Sequence, residues 1–191
     1  MSSLIGPIGD IFETALPGAF VASSRPFCDH RGRFSRLFDR DTLSAINANR
    51  QIVQINHSLT IAAGAVRGMH FQRAPHLEAK WVRCIRGRVF DVAVDLRRGS
   101  PTFLQHVSVE LSEEAANAFF IPEGCAHGFQ VIEPGSELLY LHTQSYEPSS
   151  EGGLRWDDPL LAIKWPRPAT DISQRDHSHP LLTHDFEGLS T

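Results

Sequence analysis

The segment from Val66 to Leu96 places several polar side chains with acid–base or anion-binding chemistry beside two apolar runs. These side chains are Arg67, His70, Gln72, His76, Glu78 and Lys80. A buried charge without a partner costs several kcal/mol, so a plain apolar core does not account for the cluster. A ligand, a counter-charge or water must satisfy these groups. We therefore interpret the segment as the centre of a functional site.

A second motif, PEGCAH from Pro122 to His127, has the P-x-G-x-x-H form of the second signature of the cupins, which are antiparallel jelly-roll barrels. The first cupin signature normally offers H-x-H and a glutamate, which bind a metal together with the later histidine. Here the matching place reads His70-Phe71-Gln72, and an amide is a poor substitute for imidazole. Because Lys80 would also repel a divalent cation, we expect no catalytic metal. A metal-dependent cupin oxygenase or isomerase remains an alternative that metal analysis would separate.

Several further segments, in the same order, resemble the nucleotide-sugar epimerases typified by dTDP-4-dehydrorhamnose 3,5-epimerase, a metal-free branch of the cupins. They are DHRGRF (29–34), QINHS (54–58), VRGMHFQ (66–72), KWVRCIRGRVFDVAVDLRRGSPTF (80–103), IPEGCAHGF (121–129), LLYLHTQSYEP (138–148), WDDPLLAIKWP (156–166) and ISQRD (172–176). The resemblance implies an enzyme that epimerises a nucleotide-linked 4-keto-6-deoxy sugar at C3 and C5. It also implies that neither a metal nor an organic cofactor is needed.

The resemblance also implies a role for individual residues. His70 would be the catalytic base, Asp176 the carboxylate paired with it, and Tyr140 the acid on the other face of the sugar. Lys80 would lie beside the developing enolate oxygen. The residues implied to bind the sugar, the phosphates and the nucleotide are Arg67, Gln54, Asn56, Gln72, His127, Arg31 and Tyr146, with Arg31 coming from the partner subunit.

These residue types suit the implied reaction. Inverting a carbon next to a ketone removes a proton from one face and returns one to the other, so two proton carriers must flank the ring. A histidine with a pKa near neutral suits the base, and a carboxylate on its other nitrogen fixes the tautomer and stabilises the imidazolium. A preorganised cation stabilises the charge that grows on the ketone oxygen, and losing one such contact costs about 3 kcal/mol.

The chain departs from the family pattern at three places. Arg36 stands where the pattern R-G-x-F-x-E has glutamate, His106 stands where PTFGxW has tryptophan, and Cys125 replaces a more usual phenylalanine. The charge reversal at Arg36 leaves the preferred nucleotide open. An epimerase that acts at one carbon, or on another nucleotide sugar, is the rival with the same mechanism. A non-catalytic cupin that binds sugar nucleotides is the rival of another class.

The elements that must position these residues are short strands. Trp81 to Leu96 contains two β-branched and aromatic runs joined at Arg86-Gly87, a step typical of a tight hairpin. In QIVQINHSL the amides and hydroxyl of Gln54, Asn56 and Ser58 share one face. Further runs separated by Gly and Pro turns, with few helices, predict an all-β sandwich or barrel. The cupin-like signature and the family resemblance imply that this barrel is an antiparallel jelly roll.

Two local features carry specific expectations. Strict alternation puts His70 and Gln72 on one face of their strand and Arg67 on the other, so Arg67 reaches the same pocket only if Gly68 forms a bulge or the strand begins later. A short helix is predicted over residues 41–50, with Asp41 as its cap and an end near Asn49.

The whole chain of 191 residues, 41% of them hydrophobic and 21% charged, suits one globular domain. Residues 1–24 are expected to form an arm with short strands, exchanged in a homodimer, and residues 149–191 a C-terminal extension. The formal net charge of −4 and the absence of basic runs argue against nucleic acid as a partner. No signal peptide or long apolar stretch is apparent, and the three cysteines are widely spaced, so we expect a cytoplasmic protein.

Overall fold

The computed structural model describes residues 3–6, 9–46 and 50–191 and is built mainly of antiparallel strands. The strands are β1 (Ser3–Gly6), β2 (Gly9–Glu13), β3 (Phe20–Ser24), β4 (Phe27–Asp29), β5 (Gly32–Phe34), β6 (Gln54–Thr60), β7 (Val66–Gln72), β8 (Lys80–Arg86), β9 (Arg88–Asp95), β10 (His106–Ser112), β11 (Asn117–Ile121), β12 (Cys125–Val131), β13 (Ser136–His142) and β14 (Glu151–Gly153). The helices are α1 (Arg40–Ile46), α2 (Gln174–Ser178) and a 3₁₀ turn at Pro148–Ser150.

Two sheets face each other and form the walls of the barrel. One has the order β1-β2-β3-β11-β8-β13-β6, and the other has the order β10-β9-β12-β7-β14. The strand pairs in both sheets are antiparallel. This arrangement confirms the predicted all-β jelly roll with a few short helices. A separate hairpin, β4–β5, belongs to neither sheet.

The prediction of a tight hairpin at Arg86-Gly87 is wrong. Strand β8 pairs with β11 and β13, whereas β9 pairs with β10 and β12, so the two strands lie in different sheets. Gly87 forms a corner between the sheets at φ 74°, and a Cβ at this position would collide with Ser136. Turn chemistry alone does not distinguish a hairpin from a corner, because both need a residue that accepts positive φ.

The interior between the two sheets is apolar away from the site. Its buried residues include Val82, Phe119, Ile121, Phe129 and Leu138. A second cluster covers the outer face of the seven-stranded sheet, and a third lies between the five-stranded sheet and the C-terminal extension. The site is therefore carried on strands that are packed on both faces, which limits how far its side chains can shift.

Helix α1 begins at Arg40 and is capped by Asp39 rather than by the predicted Asp41. Oδ1 of Asp39 accepts hydrogen bonds from the backbone N–H groups of Asp41 and Thr42. Asp39 lies two positions earlier than the predicted cap, where its side chain reaches the unpaired amides of the first turn. The predicted end near Asn49 lies outside the described residues.

The segment predicted as an N-terminal arm forms strands, as expected. Its strands β2 and β3 pair with each other, and β3 also pairs with β11 of the same chain. No helix in the described part of the chain combines the length and the apolar character that crossing a bilayer requires.

Candidate active site

His70 lies on β7 and forms a close contact with a buried carboxylate. Its Nε2 is 2.8 Å from Oδ1 of Asp176, although the two residues are 106 positions apart in the chain. The imidazole is partly exposed, whereas the Asp176 side chain is only 3% exposed. Helix α2 positions Asp176, because Ser173 caps the helix and accepts a hydrogen bond from the Asp176 amide. The C-terminal extension thus delivers a buried carboxylate to a strand histidine.

Asp176 is held in its ionised form. Burial alone would raise the pKa of its carboxyl, but hydrogen bonding to His70 and to the Gly68 amide, with the charge of Arg175, holds the pKa below its usual value. Nη2 of Arg175 also lies 3.1 Å from His70 Nε2. One ring nitrogen cannot donate to Asp176 and accept from Arg175 at once. The shorter contact and the ionised acceptor favour donation to Asp176.

The strand that carries His70 is bulged at Gly68. His127 on β12 pairs with His70, but Phe129 pairs with Arg67, so β7 has one extra residue opposite Gly128. A Cβ at Gly68 would come within 2.5 Å of the Gly128 Cα, so the close approach of the two strands requires glycine. Of the two possibilities left open by the sequence, the structure shows the bulge.

The bulge brings Arg67 to the same side of the sheet as His70. Both residues line a cavity of about 210 Å³ and a neighbouring one of about 420 Å³. Nε of Arg67 donates to Oγ1 of Thr60 at 2.9 Å, which orients the guanidinium along the cavity wall. The smaller cavity is lined by Asn56, Ser58, Arg67, His70, Lys80, His127, Phe129, Tyr140 and His142.

Tyr140 faces this smaller cavity from β13 in the opposite sheet. Its hydroxyl is 3.0 Å from Ser58 Oγ on the adjacent strand β6. Burial raises the pKa of Tyr140 above its ordinary value, and the hydrogen bond to Ser58 offsets only part of that rise. The phenol is therefore protonated throughout the physiological range, which is the state a proton donor needs.

Lys80 enters the cavity from β8 and is paired there. Its Nζ is 3.1 Å from Oε1 of Glu78, whose Oε2 is 2.7 Å from Nδ1 of His142. Burial would raise the pKa of Glu78, but Lys80 and His142 outweigh it and lower the pKa to about 2. The carboxylate is thus ionised and holds the ammonium in a fixed place, which is how a preorganised cation is built.

A second histidine–carboxylate pair lies deeper in the barrel. Nε2 of His127 is 2.9 and 3.0 Å from the two carboxylate oxygens of Asp91 on β9. Asp91 is fully buried, and burial raises its pKa despite the opposing influence of His127 and Lys80. His127 also lines the cavity and is the direct cross-strand neighbour of His70.

The remaining predicted residues of the barrel lie in different places. Asn56 lines the cavity and contacts His142, and Gln54 contacts Asn56 and the backbone of Tyr146. The hydroxyl of Tyr146, on an exposed loop, donates to Glu151.

Gln72 does not line either cavity. It is 3% exposed, and its amide bonds to the backbone of His76, Ser145 and Glu147. This placement gives Gln72 a part in loop structure and does not support a contact with the sugar. Of the positions that match the two cupin signatures, His70 and His127 line the smaller cavity, whereas Gln72 does not, and Nε2 of His127 contacts Asp91.

Arg31 and Arg36 lie outside the barrel. Arg31 is at the turn of the hairpin β4–β5 and pairs with Asp29 at 2.7 Å, with 77% of its side chain exposed. Arg36 follows the hairpin and pairs with Asp39 at 3.2 Å, with 55% of its side chain exposed. Neither guanidinium reaches the cavity of its own chain.

Sequence reasoning missed Asp91 and His142 and did not pair Glu78. A signal for Asp91 was present, since it alternates with Val89 and Ala93 on the buried face of an apolar run. His142 likewise shares a strand face with Tyr140. Helix α2 was also missed, although Ser173 stands three residues before Asp176 as in a capping box.

The chain is similar to known proteins over most of its length. A sequence profile of the family described as dTDP-4-dehydrorhamnose 3,5-epimerase matches residues 13–184. The dTDP-4-dehydrorhamnose 3,5-epimerase of Salmonella typhimurium is 41% identical over 174 residues, which cover 90% of this chain and 94% of the relative.

Two solved structures are similar in fold and sequence. The dTDP-6-deoxy-D-glucose-3,5-epimerase of Legionella pneumophila, in complex with dTDP-4-keto-L-rhamnose, has a TM-score of 0.87 and 34% identity over 95% of this chain and 98% of that one. A 4-keto-6-deoxy sugar epimerase of the Streptomyces spheroides novobiocin cluster has a TM-score of 0.85 and 36% identity over 90% of this chain and 86% of that one.

Proposed function

The chain belongs to the dTDP-4-dehydrorhamnose 3,5-epimerase family, and on that basis we propose that it inverts C3 and C5 of dTDP-4-dehydro-6-deoxyglucose to give dTDP-4-dehydrorhamnose. It is an isomerase of the nucleotide-sugar epimerase class. One observation carries the mechanism: His70, backed by the buried Asp176, lines the same cavity as Tyr140. A base and an acid around one cavity are what inversion next to a ketone requires.

His70 acts as the base in this proposal. Donation from Nε2 to the ionised Asp176 leaves the lone pair on Nδ1, which takes the proton from the carbon next to the ketone. As the ring becomes imidazolium, the adjacent carboxylate stabilises the new positive charge. Asp176 thus positions and supports the base without touching the sugar.

Tyr140 returns a proton to the opposite face of the carbon. His70 lies on the five-stranded sheet and Tyr140 on the seven-stranded sheet, so the two residues approach the cavity from opposing walls. A sugar ring held between the sheets therefore has the base on one side and the phenol on the other. The raised pKa of Tyr140 keeps the phenol protonated until the enolate forms.

Lys80 stabilises the negative charge on the ketone oxygen in the enolate. The residue is only 7% exposed. Its ammonium lies between the carboxylate of Glu78 and the backbone carbonyl of His70. A cation fixed beforehand does not need to reorganise as charge develops, which is worth about 3 kcal/mol for one contact. We propose that neither a metal nor an organic cofactor takes part, because this cation and the two proton carriers supply every step.

Binding of the nucleotide sugar is assigned to residues around and beyond the cavity. Arg67, Asn56 and His127 would contact the sugar and phosphates, while Gln54 and Tyr146 lie farther out, toward the nucleotide end. We keep Gln72 only as a support for the loop at Glu147, since its amide is already fully bonded to backbone groups.

We further propose a homodimer that completes the nucleotide end of the site. The outward residues of the edge strand β6 and its flanks, Val53, Ile55, Leu59 and Ile61, are 48% to 75% exposed, an apolar stripe that a second copy would cover. The hairpin β4–β5, next to the expected N-terminal arm, exposes Phe27 and Phe34 and carries Arg31. Exchange of this part of the chain would bring Arg31 to the partner's nucleotide. The whole chain would act as a single domain, in the cytoplasm.

Product analysis by NMR in deuterated water tests this function. Purified protein and dTDP-4-keto-6-deoxyglucose should yield deuterium at both C3 and C5, with both centres inverted. Deuterium at one carbon would select the single-carbon epimerase. Absence of exchange with dTDP-, UDP-, CDP- and GDP-linked 4-keto sugars would refute the enzyme and favour the binding protein.

A further inference from the structure

His179 is a histidine beside the catalytic pair that the proposed mechanism does not use. Its Nε2 is buried and has no hydrogen-bond partner among the described residues. Gly153 on β14 makes room for the ring, because a Cβ at that position would overlap the imidazole. The His179 ring also packs edge-on to His70, with centroids 6.2 Å apart. A buried imidazole nitrogen without a partner is uncommon and requires an explanation.

His179 and the catalytic pair together present three potential metal ligands. One ligand atom from each of His70, Asp176 and His179 lies within 4.8 Å of the others. Oδ1 of Asp176 is 2.8 Å from His70 Nε2 and 4.0 Å from His179 Nε2. Tetrahedral zinc with bonds of about 2.0–2.1 Å places its ligand atoms roughly 3.3 Å apart, so shifts below about 1 Å suffice.

We propose that His70, Asp176 and His179 form a site for a divalent transition metal such as Zn²⁺, and that occupancy of this site inhibits the enzyme. Two imidazoles and a carboxylate are a ligand set that suits zinc, copper and nickel. Burial and the neighbouring His70 lower the pKa of His179, which favours the neutral ring that metals bind. The site shares His70 with the cupin metal position but uses Asp176 and His179 where that position would have used Gln72 and His127.

Metal binding would inhibit the enzyme because it changes which ring nitrogen of His70 carries the proton. Zinc at Nε2 displaces the proton that this nitrogen donates to Asp176, and the neutral ring then carries that proton on Nδ1. Nδ1 is the nitrogen whose lone pair takes the substrate proton in the proposed mechanism, so the metal-bound enzyme has no free base. The inhibitory effect therefore rests on the proposed function, whereas the binding of metal does not.

The positive charge of Arg175 lies beside two of the proposed ligand atoms and disfavours metal binding. Nη2 of Arg175 is 3.1 Å from His70 Nε2, and its Nε is 3.7 Å from Asp176 Oδ1, so the guanidinium presents positive charge to two of the proposed ligand atoms. The side chain is 52% exposed and also pairs with Glu151 at 3.0 Å, which gives it an alternative partner. Removing this charge should tighten metal binding.

Calorimetric titration of substrate-free protein with ZnCl₂ tests the site. We expect one high-affinity zinc ion per chain, with micromolar affinity. His179→Gln should weaken binding at least about tenfold. His177→Gln is the matched control, because His177 is exposed on helix α2, two residues before His179, and is not part of the cluster, and it should leave zinc binding unchanged. Equal affinity in wild type and His179→Gln, or no zinc binding, would overturn the proposal.

A second variant and an activity assay complete the test. Arg175→Gln should bind zinc more tightly than wild type, and weaker or unchanged binding would count against the site even if His179→Gln failed to fold. Zinc should inhibit turnover of the wild type reversibly, with recovery on addition of EDTA. Binding that responds to His179→Gln without inhibition would retain the metal site and refute the role of His70 as base.

Discussion

Two of the histidine–carboxylate pairs in the described part of the chain have their histidines on the neighbouring strands β7 and β12, and these two pairs differ in their surroundings rather than in their contact distances. His70 and Asp176 meet at 2.8 Å, and His127 and Asp91 meet at 2.9 Å. The first pair joins a partly exposed ring to a carboxylate delivered by the C-terminal extension. The second lies wholly within the barrel strands.

The pKa values of the two carboxyl groups are shifted in opposite directions. Neighbouring donors lower the pKa of Asp176, whereas full burial raises the pKa of Asp91. A firmly ionised carboxylate supports an imidazolium, so the outer pair suits repeated protonation and deprotonation. The inner pair suits a fixed arrangement that supports the cavity floor. The same two residue types therefore serve proton transfer in one place, and in the other they support the cavity from which His127 would contact the substrate.

The largest expected effect comes from His70→Ala. Because the base is needed in every proton abstraction, kcat should fall about 10³- to 10⁴-fold or more. The fold should remain intact, since the ring is partly exposed and lies at the cavity wall, and circular dichroism would establish this. Turnover near that of the wild type in a folded His70→Ala protein would disprove the mechanism.

Tyr140→Phe should separate exchange from inversion. A base alone removes and returns a proton on one face, so solvent exchange should persist while net inversion falls about 10²- to 10³-fold. Deuterium incorporation and product formation, followed in the same sample by NMR, measure the two rates. If exchange and inversion fall together, Tyr140 is not simply the opposite-face donor.

Asp176→Asn and Asp91→Asn should have opposite signatures. The first removes the charge that supports the imidazolium and should lower kcat about 10²- to 10⁴-fold with little loss of stability. The second disrupts a fully buried pair and should destabilise the fold by roughly 3 kcal/mol, with a smaller effect on kcat. Steady-state kinetics and urea denaturation of both variants provide the comparison. Interchanged signatures would mean that the roles of the two pairs have been assigned the wrong way round.

Arg36→Glu should have the smallest effect, on nucleotide preference rather than on rate. A carboxylate accepts hydrogen bonds from base or ribose, whereas a guanidinium only donates them, so the change should improve binding of dTDP up to roughly tenfold relative to other nucleotides. Titrations with dTDP, UDP, CDP and GDP would measure this. Arg36→Gln controls for loss of the ion pair with Asp39. An unchanged order of affinities would show that Arg36 faces solvent and does not select the substrate.

Local patterns predicted most of the barrel, because alternation and Gly and Pro turns are properties of short segments. They also grouped Arg67, His70 and Lys80 in one segment, whereas Tyr140 was assigned to the same site by the family resemblance. Whether two consecutive strands pair with each other or lie in different sheets depends on the whole topology. For this reason the local sequence at Gly87 predicts a hairpin turn, although β8 and β9 lie in different sheets. The face of the sheet on which the Arg67 side chain lies likewise depends on the bulge at Gly68, which is a feature of the β7–β12 pairing.

The electrostatic support of the site was harder to predict from sequence. Asp91 and His142 are single polar residues within apolar strands, and their partners His127 and Glu78 are 36 and 64 positions away. Such pairs exist only after the sheets assemble. The assignment of Asp176 was available from family resemblance, but its burial became visible only in the structure.

The most direct test of the account is the initial rate of deuterium incorporation at C3 and C5 in two matched variants, His70→Asn and His127→Asn. Both remove one imidazole from adjacent strands and replace it with the same amide. We predict that, at saturating substrate, His70→Asn loses exchange at both carbons, while His127→Asn, once shown to be folded, retains it because His127 contacts the substrate without abstracting the proton. Exchange that persists in His70→Asn and disappears in His127→Asn would contradict the assignment of His70 as the base.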